Sequence, residues 1–309
     1  MPTLETYQDV YIWHYVPSLP LAATFASLFG LTTAAHVWKM NRKKMWFCLP
    51  FAFGGISEAI GYAMRAASTY NTGNLILYVL QSVFLVIPPV FFAATLYMVY
   101  SRIIRAVHGE LFSLITLRWA TKLFVTGDIL CLLIQGNASG LLANSETTLT
   151  GDYIIIAGLV LQIIIFVCFI VCCVKFNRRF RVHMAETGDL NDIPWQACLN
   201  MLYFTSTAIL VRNIFRVVEF SMQSVNGTGY LVTTEWPLYV FDAALMLLVM
   251  IGFFVRYPSQ LQSRPRGLGM DHATGGAPSE DRNHVSSSDS FCEMQVLFGT
   301  RLEPKERVG

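Results

Sequence analysis

The chain is 309 residues long, 54% of them hydrophobic and only 14% charged, with a net charge of +2 and a mean hydropathy of +0.49. Soluble domains carry about 25% charged residues, so this composition excludes a disordered chain, argues against a soluble enzyme and points to a lipid bilayer as the main solvent. So small a net charge gives no general attraction to nucleic acid.

Residues 1–16 lack a basic region, carry Glu5 and Asp9, and read as an extracellular N-terminal segment, with no cleavable signal peptide. Seven apolar runs follow: Pro17–Trp38, Trp46–Ala66, Leu75–Tyr100, Trp119–Leu142, Tyr153–Val174, Gln196–Val218 and Trp236–Val255. Each is close to the roughly 20 residues that a helix needs to cross hydrocarbon at about 1.5 Å per residue. Lipid offers no partner to backbone polar groups, so the runs are expected to be helices; they are too long and too uniformly apolar for barrel strands. The expected fold class is all-α, a polytopic seven-transmembrane-helix bundle over residues 17–257. Residues 258–309, rich in Ser, Gly and charge, read as a disordered cytosolic tail.

The connections alternate in charge. One set holds Lys39, Arg42, Lys43 and Lys44, then Arg102 and Arg105, then Lys175, Arg178, Arg179 and Arg181, then Arg256, Arg264 and Arg266. The other set, residues 1–16, 67–74, 143–152 and 219–235, contains no Lys or Arg. The positive-inside rule then predicts an N-terminus outside and a C-terminus in the cytosol, and supports an odd number of spans independently of hydropathy. Trp13, Trp38, Trp46, Trp119, Trp195 and Trp236 all fall at predicted span ends, where indoles favour the headgroup level. The sequon Asn226-Gly227-Thr228 lies in an outer loop, making Asn226 a glycosylation candidate; Asn137-Ala138-Ser139 falls within span four. Six of the seven cysteines lie in or beside apolar runs, so no disulfide framework is implied.

Ionisable groups inside spans cost roughly 2.5–3.5 kcal/mol each on insertion scales and are usually functional. Span one carries only a stripe of small residues, Ala22, Ala26, Gly30 and Ala34, expected to support close helix contact. Span two carries Glu58, Tyr62 and Arg65 on one helix face. Span three has Gln81 and the pair Pro88-Pro89, which should kink or break the helix near its middle. Span four has Asp128 and Gln135, and span five Gln162. Span six contributes Arg212, Arg216 and Glu219, and span seven follows Glu235 with Tyr239 and Asp242. In the predicted topology Glu58, Arg65, Arg212, Arg216, Glu219, Glu235 and Asp242 share the outer half, with Asp128 deeper. Three arginines and four carboxylates there form a near-balanced, outward-facing chamber for a zwitterionic or cationic headgroup. Pairing that only fixes helix register is the competing reading of each residue. Asp128, with no basic neighbour on its own face, is the candidate proton-linked carboxylate.

Several chemistries lack their parts. There is no GxxxxGK[ST] loop for nucleotide phosphates and no HExxH or GxSxG motif, so an enzyme is not expected. His36 and His108 have no ligand-spaced partners, so neither a metal nor a cofactor is expected. Span seven has no lysine for a retinal Schiff base.

The motifs resemble the fungal lipid-translocating exporter family, the RTA-like seven-span membrane proteins. The likeness runs through Glu58-Ala-Ile-Gly61-Tyr62-Ala-Met-Arg65, Gln81-Ser82, Pro89, Ala93-Ala94 and Tyr97. It continues through Phe124, Asp128, Gln135, Gly140, Gly151, Gly158, Leu159 and Gln162, and ends with Arg212, Phe215-Arg216, Glu219, Gly229, Glu235, Tyr239 and Asp242. Pro88 departs from the pattern, which has a small residue before the proline. The resemblance implies a fungal multi-pass plasma-membrane protein that moves amphipathic lipids, such as sphingoid long-chain bases or sterol-like toxic compounds, in a resistance-type role. Some members are linked to porphyrin or haem movement. It implies membrane lipids and an amphipathic lipid substrate as partners. A seven-span receptor fits the topology equally, and a lipid enzyme using the carboxylates as acid and base is a further alternative.

Overall fold

The computed structural model describes residues 6–7, 10–11, 15–113, 116–141, 148–187, 195–226 and 233–256. Two short antiparallel strands, Thr6–Tyr7 and Val10–Tyr11, precede the helices. The helices are α1 (Leu19–Lys43), α2 (Leu49–Ser68), α3 (Leu75–Val86), α4 (Pro88–Ala106), α5 (Leu117–Leu141), α6 (Thr148–Thr187) and α7 (Trp195–Asn226). The last helical run, Trp236–Val255, is α8. Since α3 and α4 form one interrupted span, Leu75–Ala106, the described residues hold seven membrane-length runs. Six of these are long and apolar enough by composition to cross a bilayer. The seventh, α5, is 25 residues long but carries Asp128, Gln135 and Asn137. The tail 258–309 and most of residues 1–16 lie outside the described residues, as do Gly227 and Thr228 of the sequon that begins at Asn226.

Local sequence explains where the helices begin and break. Prolines occupy the first turns of α1, α2, α4 and α8, where the missing N–H has no intrahelical partner to lose. Asn74 caps α3 by accepting a 3.0 Å bond from the Ile76 amide. The α3 helix stops at Val86 and α4 starts at Pro88, so Pro88-Pro89 interrupts span three as expected. In α8 the turn Trp236–Leu238 opens into a π-helix, Tyr239–Ala244, before α-helix resumes at Leu245–Val255. Nothing in the sequence announced that widening. Two helices outrun their apolar cores: α6 has 40 residues and α7 has 32.

The helices form a closed ring, α1 on α2, α2 on α3 and α4, α4 on α5, α5 on α6, α6 on α7, α7 on α8, and α8 back on α1. The central helix is α4, which also touches α7. Phe92, Leu96, Val99 and Ile103 of α4 are wholly enclosed. Around its C-terminal half the core is aromatic. Tyr97 meets Phe169 edge-on at 4.6 Å and Phe124 at 5.3 Å, and Phe176 stacks on Phe180 at 5.5 Å. Outward-facing Leu31, Phe53, Ile76, Leu133, Ile164 and Phe204 leave an apolar rind suited to acyl chains. Of the span-end tryptophans with described side chains, Trp38, Trp46, Trp119 and Trp236 are exposed. Trp195 instead is buried, with its ring edge-on to Phe180 at 5.0 Å.

The small-residue stripe of α1 behaves differently from expectation. Ala22 is buried, but Gly30 and Ala34 face outward, and nothing lies within 4 Å of a Cβ built on Gly30. The buried positions are Ala22, Phe29, Thr33, His36 and Met40, in alternating steps of seven, four, three and four residues. Each i+4 step overshoots a full turn by roughly 40°, so a run of i+4 steps spirals off the contact face.

Close helix contact is made by α2. A Cβ on Gly61 would sit 2.8 Å from Leu85 Cδ2, and one on Gly54 would sit 2.7 Å from the Phe92 ring. Gly61→Val is therefore expected to destabilise the protein by about 1–3 kcal/mol through overpacking, read as a lower Tm in detergent. Gly30→Ala, with open space and a helical backbone, should hold or raise Tm by about 0.5–1 kcal/mol equivalent.

Candidate functional site

Two polar clusters are buried in the bundle. The larger joins spans two, three, six and seven. At its centre Asp242, carried by the π-helix, bridges two guanidinium groups: Arg212 donates through Nε to Oδ1, and Arg216 donates through Nη2 to Oδ2 at 2.9 Å. Arg216 Nη1 also donates to Glu219 Oε2 at 3.0 Å. Asp242 is 1% exposed and Arg212 4%, so both are held away from solvent. Two charges in low dielectric need such shared, charge-assisted bonds to offset lost hydration.

The proline break supplies a further anchor. An unbroken helix would bond the amide at position 89 to the carbonyl of Leu85, but Pro89 has no N–H. The freed Leu85 carbonyl accepts a 2.6 Å bond from Arg212 Nη2. Pro88-Pro89 and Arg212 are therefore one arrangement: the helix break creates an acceptor, and span six fills it.

One turn beyond, Arg65 donates through Nη2 to Glu235 Oε1 at 2.9 Å and to the Tyr15 hydroxyl at 2.8 Å, and through Nε to the Tyr239 hydroxyl at 3.2 Å. Tyr239 in turn donates to Glu235 Oε1 at 3.1 Å. Both carboxylate oxygens of Glu235 accept from the Ser18 amide at 3.0 Å. That places an acid at the start of α1, where the helix dipole favours it. Burial raises the Tyr15 hydroxyl above its ordinary value despite the opposing Arg65 charge, so it stays protonated and accepts through its oxygen. Phe25, Phe29, Tyr62 and Tyr239 stack beside this group, with Phe29 and Tyr62 5.5 Å apart and nearly parallel.

Glu58 belongs to the same neighbourhood but is not paired. It is 1% exposed, lies within electrostatic reach of Asp242, Arg212 and Arg216, and neither of its carboxyl oxygens has a hydrogen-bond partner. The Tyr62 hydroxyl, one turn along α2, also lacks one.

The second cluster joins spans three, four and five. Tyr97 donates to Asp128 Oδ2 at 2.8 Å, and Gln135 Nε2 reaches Gln162 Oε1 at 3.5 Å. Asp128 Oδ1 has no partner. Gln81 is buried on α3 with its Oε1 unpartnered, and among the described residues no hydrogen bond joins it to either cluster.

The structure thus brings Glu58, Arg65, Arg212, Arg216, Glu219, Glu235, Tyr239 and Asp242 to one end of the bundle, with Tyr62 beside them. Asp128, Gln135 and Gln162 form a separate group. Sequence reading missed Tyr15, the Ser18 amide and the Leu85 carbonyl. Only the last had a signal, its position four residues before Pro89.

A family profile described as "RTA1 like protein" matches residues 51–264. Protoporphyrin uptake protein 1 of Saccharomyces cerevisiae is 37% identical over 207 residues, 67% of this chain and 67% of its own. Protein RTM1 of the same yeast is 36% identical over 208 residues, 67% of this chain and 66% of its own. A sphingoid long-chain base transporter, RSB1, is 25% identical over 278 residues, covering 79% of this chain and 72% of its own. The matched stretches span about two thirds of the first two relatives' lengths. No solved structure matches. The chain belongs to the RTA1-like family, and it is an integral membrane protein.

Removing one partner of a buried ion pair leaves the other charge uncompensated. Asp242→Asn is expected to cost about 3–5 kcal/mol, measured by thermal or denaturant melting in detergent. Glu219→Gln, at the less enclosed edge of the cluster, should cost less.

Proposed function

We propose that the chain is a plasma-membrane transporter that moves an amphipathic lipid between leaflets, with a cationic headgroup passing along Glu58, Arg65, Arg212, Arg216, Glu219, Glu235 and Asp242. The observation that carries this reading is the ionic cluster itself. Seven charged side chains gathered inside an apolar bundle are costly to insert and are unnecessary for helix packing. The second set, Asp128 with Gln135 and Gln162, offers further polar contacts among spans three, four and five. In this reading the N-terminal segment lies outside the cell, residues 258–309 in the cytosol, and Asn226 at the glycosylated face.

The relatives' names divide between two substrate classes, a porphyrin and a sphingoid long-chain base. The charge balance favours the second. Arg65 faces Glu235, Arg212 faces Asp242, and Arg216 faces Asp242 and Glu219. The acid left without a bonded guanidinium is Glu58. A porphyrin's carboxylates would compete with acids for arginines already engaged, whereas a primary ammonium could take the place of a proton on Glu58. The aromatic stack of Phe25, Phe29, Tyr62 and Tyr239 suits the flanking apolar chain. No conversion of the lipid is required by any of these contacts, which supports a non-enzymatic role.

Purified protein in liposomes should accelerate the movement of a labelled long-chain base between leaflets and return it unchanged in mass. A rate equal to that of empty vesicles would overturn the reading, and acceleration of protoporphyrin alone would reassign the substrate. Arg216→Lys keeps the charge but cannot serve Glu219 and Asp242 in the same fork. It should slow the flux about tenfold, the effect of roughly 1.4 kcal/mol.

A further inference from the structure

We infer that Glu58 is a proton-binding site whose loss and gain of a proton exchanges partners in the ionic cluster. The inference rests on the transport reading for its use, since the proton would be the coupling ion, but the site stands on geometry alone.

The argument begins with a count of charges. Arg65 with Glu235 is one neutral pair, and Arg212 and Arg216 with Asp242 and Glu219 form a neutral foursome. Glu58 remains, fully enclosed, with both oxygens lacking a donor. A lone carboxylate in such a place carries the full loss of its hydration. Three kinds of cation could neutralise it: an alkali ion, an ammonium group or a proton. Its oxygens are closed off by surrounding atoms, and a proton alone needs no room. Glu58 in this arrangement is therefore the neutral acid, –COOH, and the described state is the proton-loaded one.

The groups facing it define what deprotonation does. Span six presents Arg212 and Arg216, and span seven presents Asp242. Tyr62 and Arg65 stand on its own helix. Span three brings Leu85, whose side chain lies against Gly61. Span one brings Phe25 and Phe29, which pack on Tyr62. Loss of the proton converts –COOH to –COO⁻ and places three carboxylates, Glu58, Asp242 and Glu219, around two guanidiniums. Relief comes when Glu58 draws a guanidinium from its present acceptors. For Arg212 those are Asp242 and the Leu85 carbonyl. Surrender of the Leu85 carbonyl loosens a bond that holds the Pro88-Pro89 break to span six. Proton release is in this way linked to the kink of span three and to the π-helix that carries Asp242.

The test needs no lipid substrate. The full-length protein in liposomes is titrated while the infrared carbonyl stretch of protonated carboxyl groups is recorded. The spectra are recorded on an Asp128→Asn background, because Asp128 is a second buried carboxyl with an unpartnered oxygen. On that background a band should disappear as pH rises; adding Glu58→Gln should remove it, and adding Glu58→Asp should keep it at a shifted frequency. The inference is overturned by a titrating band that is unchanged by Glu58→Gln, by the absence of any titrating band on that background, or by a Glu58 band that persists over the whole range in which the protein stays folded. Should Glu58→Gln not fold, the shift in Glu58→Asp carries the assignment, and an unshifted band there overturns it. A pH gradient imposed on such vesicles should change labelled long-chain-base flux at least about fivefold in the wild type and leave Glu58→Gln flux unaffected. A titrating Glu58 in protein that moves no lipid would overturn the transport reading while leaving the proton site intact.

Discussion

The bundle is organised by the need to neutralise guanidinium groups inside hydrocarbon. Arg212 and Arg216 are seated largely away from solvent, and Asp242 answers both at once. That demand fixes the positions of spans six and seven relative to each other. The π-helix at Tyr239–Ala244 carries Asp242 to the two arginines while leaving Tyr239 on the same side as Arg65. A widened turn sacrifices regular hydrogen bonding, and such turns concentrate at functional sites.

The same demand explains the helix break. A proline pair inside a span leaves carbonyls without amides, which is expensive in lipid unless another group steps in. Arg212 does so at Leu85. Span two completes the arrangement because Gly54 and Gly61 let it lie close against span three, and this contact brings Glu58 and Arg65 to the cluster. Ionic and steric requirements here are one problem: glycine permits the approach, proline exposes an acceptor, and arginine uses it.

How far the sequence spoke depended on the length scale of each signal. Span number and helical class follow from hydropathy and are visible at once, because bilayer thickness sets a length that single sequences display. The break at Pro88-Pro89 was legible for the same reason, since the missing amide is a property of the residue. Membership of the polar set was legible too, as Glu58, Arg212 and Asp242 are conspicuous in apolar surroundings. Which of them touch was not. Partner choice between Arg65–Glu235 and Arg212–Asp242 depends on helix rotation and on the π-turn, neither of which has a periodic signature. The outward turn of Gly30 and Ala34 and the burial of Trp195 against Phe180 likewise reflect tertiary packing. So does the central place of α4.

The two ends of the bundle are held by different forces, and this bears on how a transporter of this build would open. Around the C-terminal half of α4 the contacts are rings: Tyr97, Phe124, Phe166, Phe169, Phe176 and Phe180 pack in edge-on, tilted and stacked pairs. Separating such a core forfeits dispersion contacts with no substitute on offer. At the other end the contacts are between charged groups with several acceptors in reach. Arg216 already divides itself between two acids, and Arg212 between an acid and a carbonyl. A charged group that trades one acceptor for another loses little, so this end has alternative arrangements close in energy, whereas close-packed aromatic cores do not. The proposed movement of a headgroup needs such alternatives, because an arriving amine must take over an acid that was otherwise engaged. On the transport reading proposed above, the gradient from exchangeable ion pairs to packed rings along the bundle places the movement at the ionic end, in spans two, six and seven.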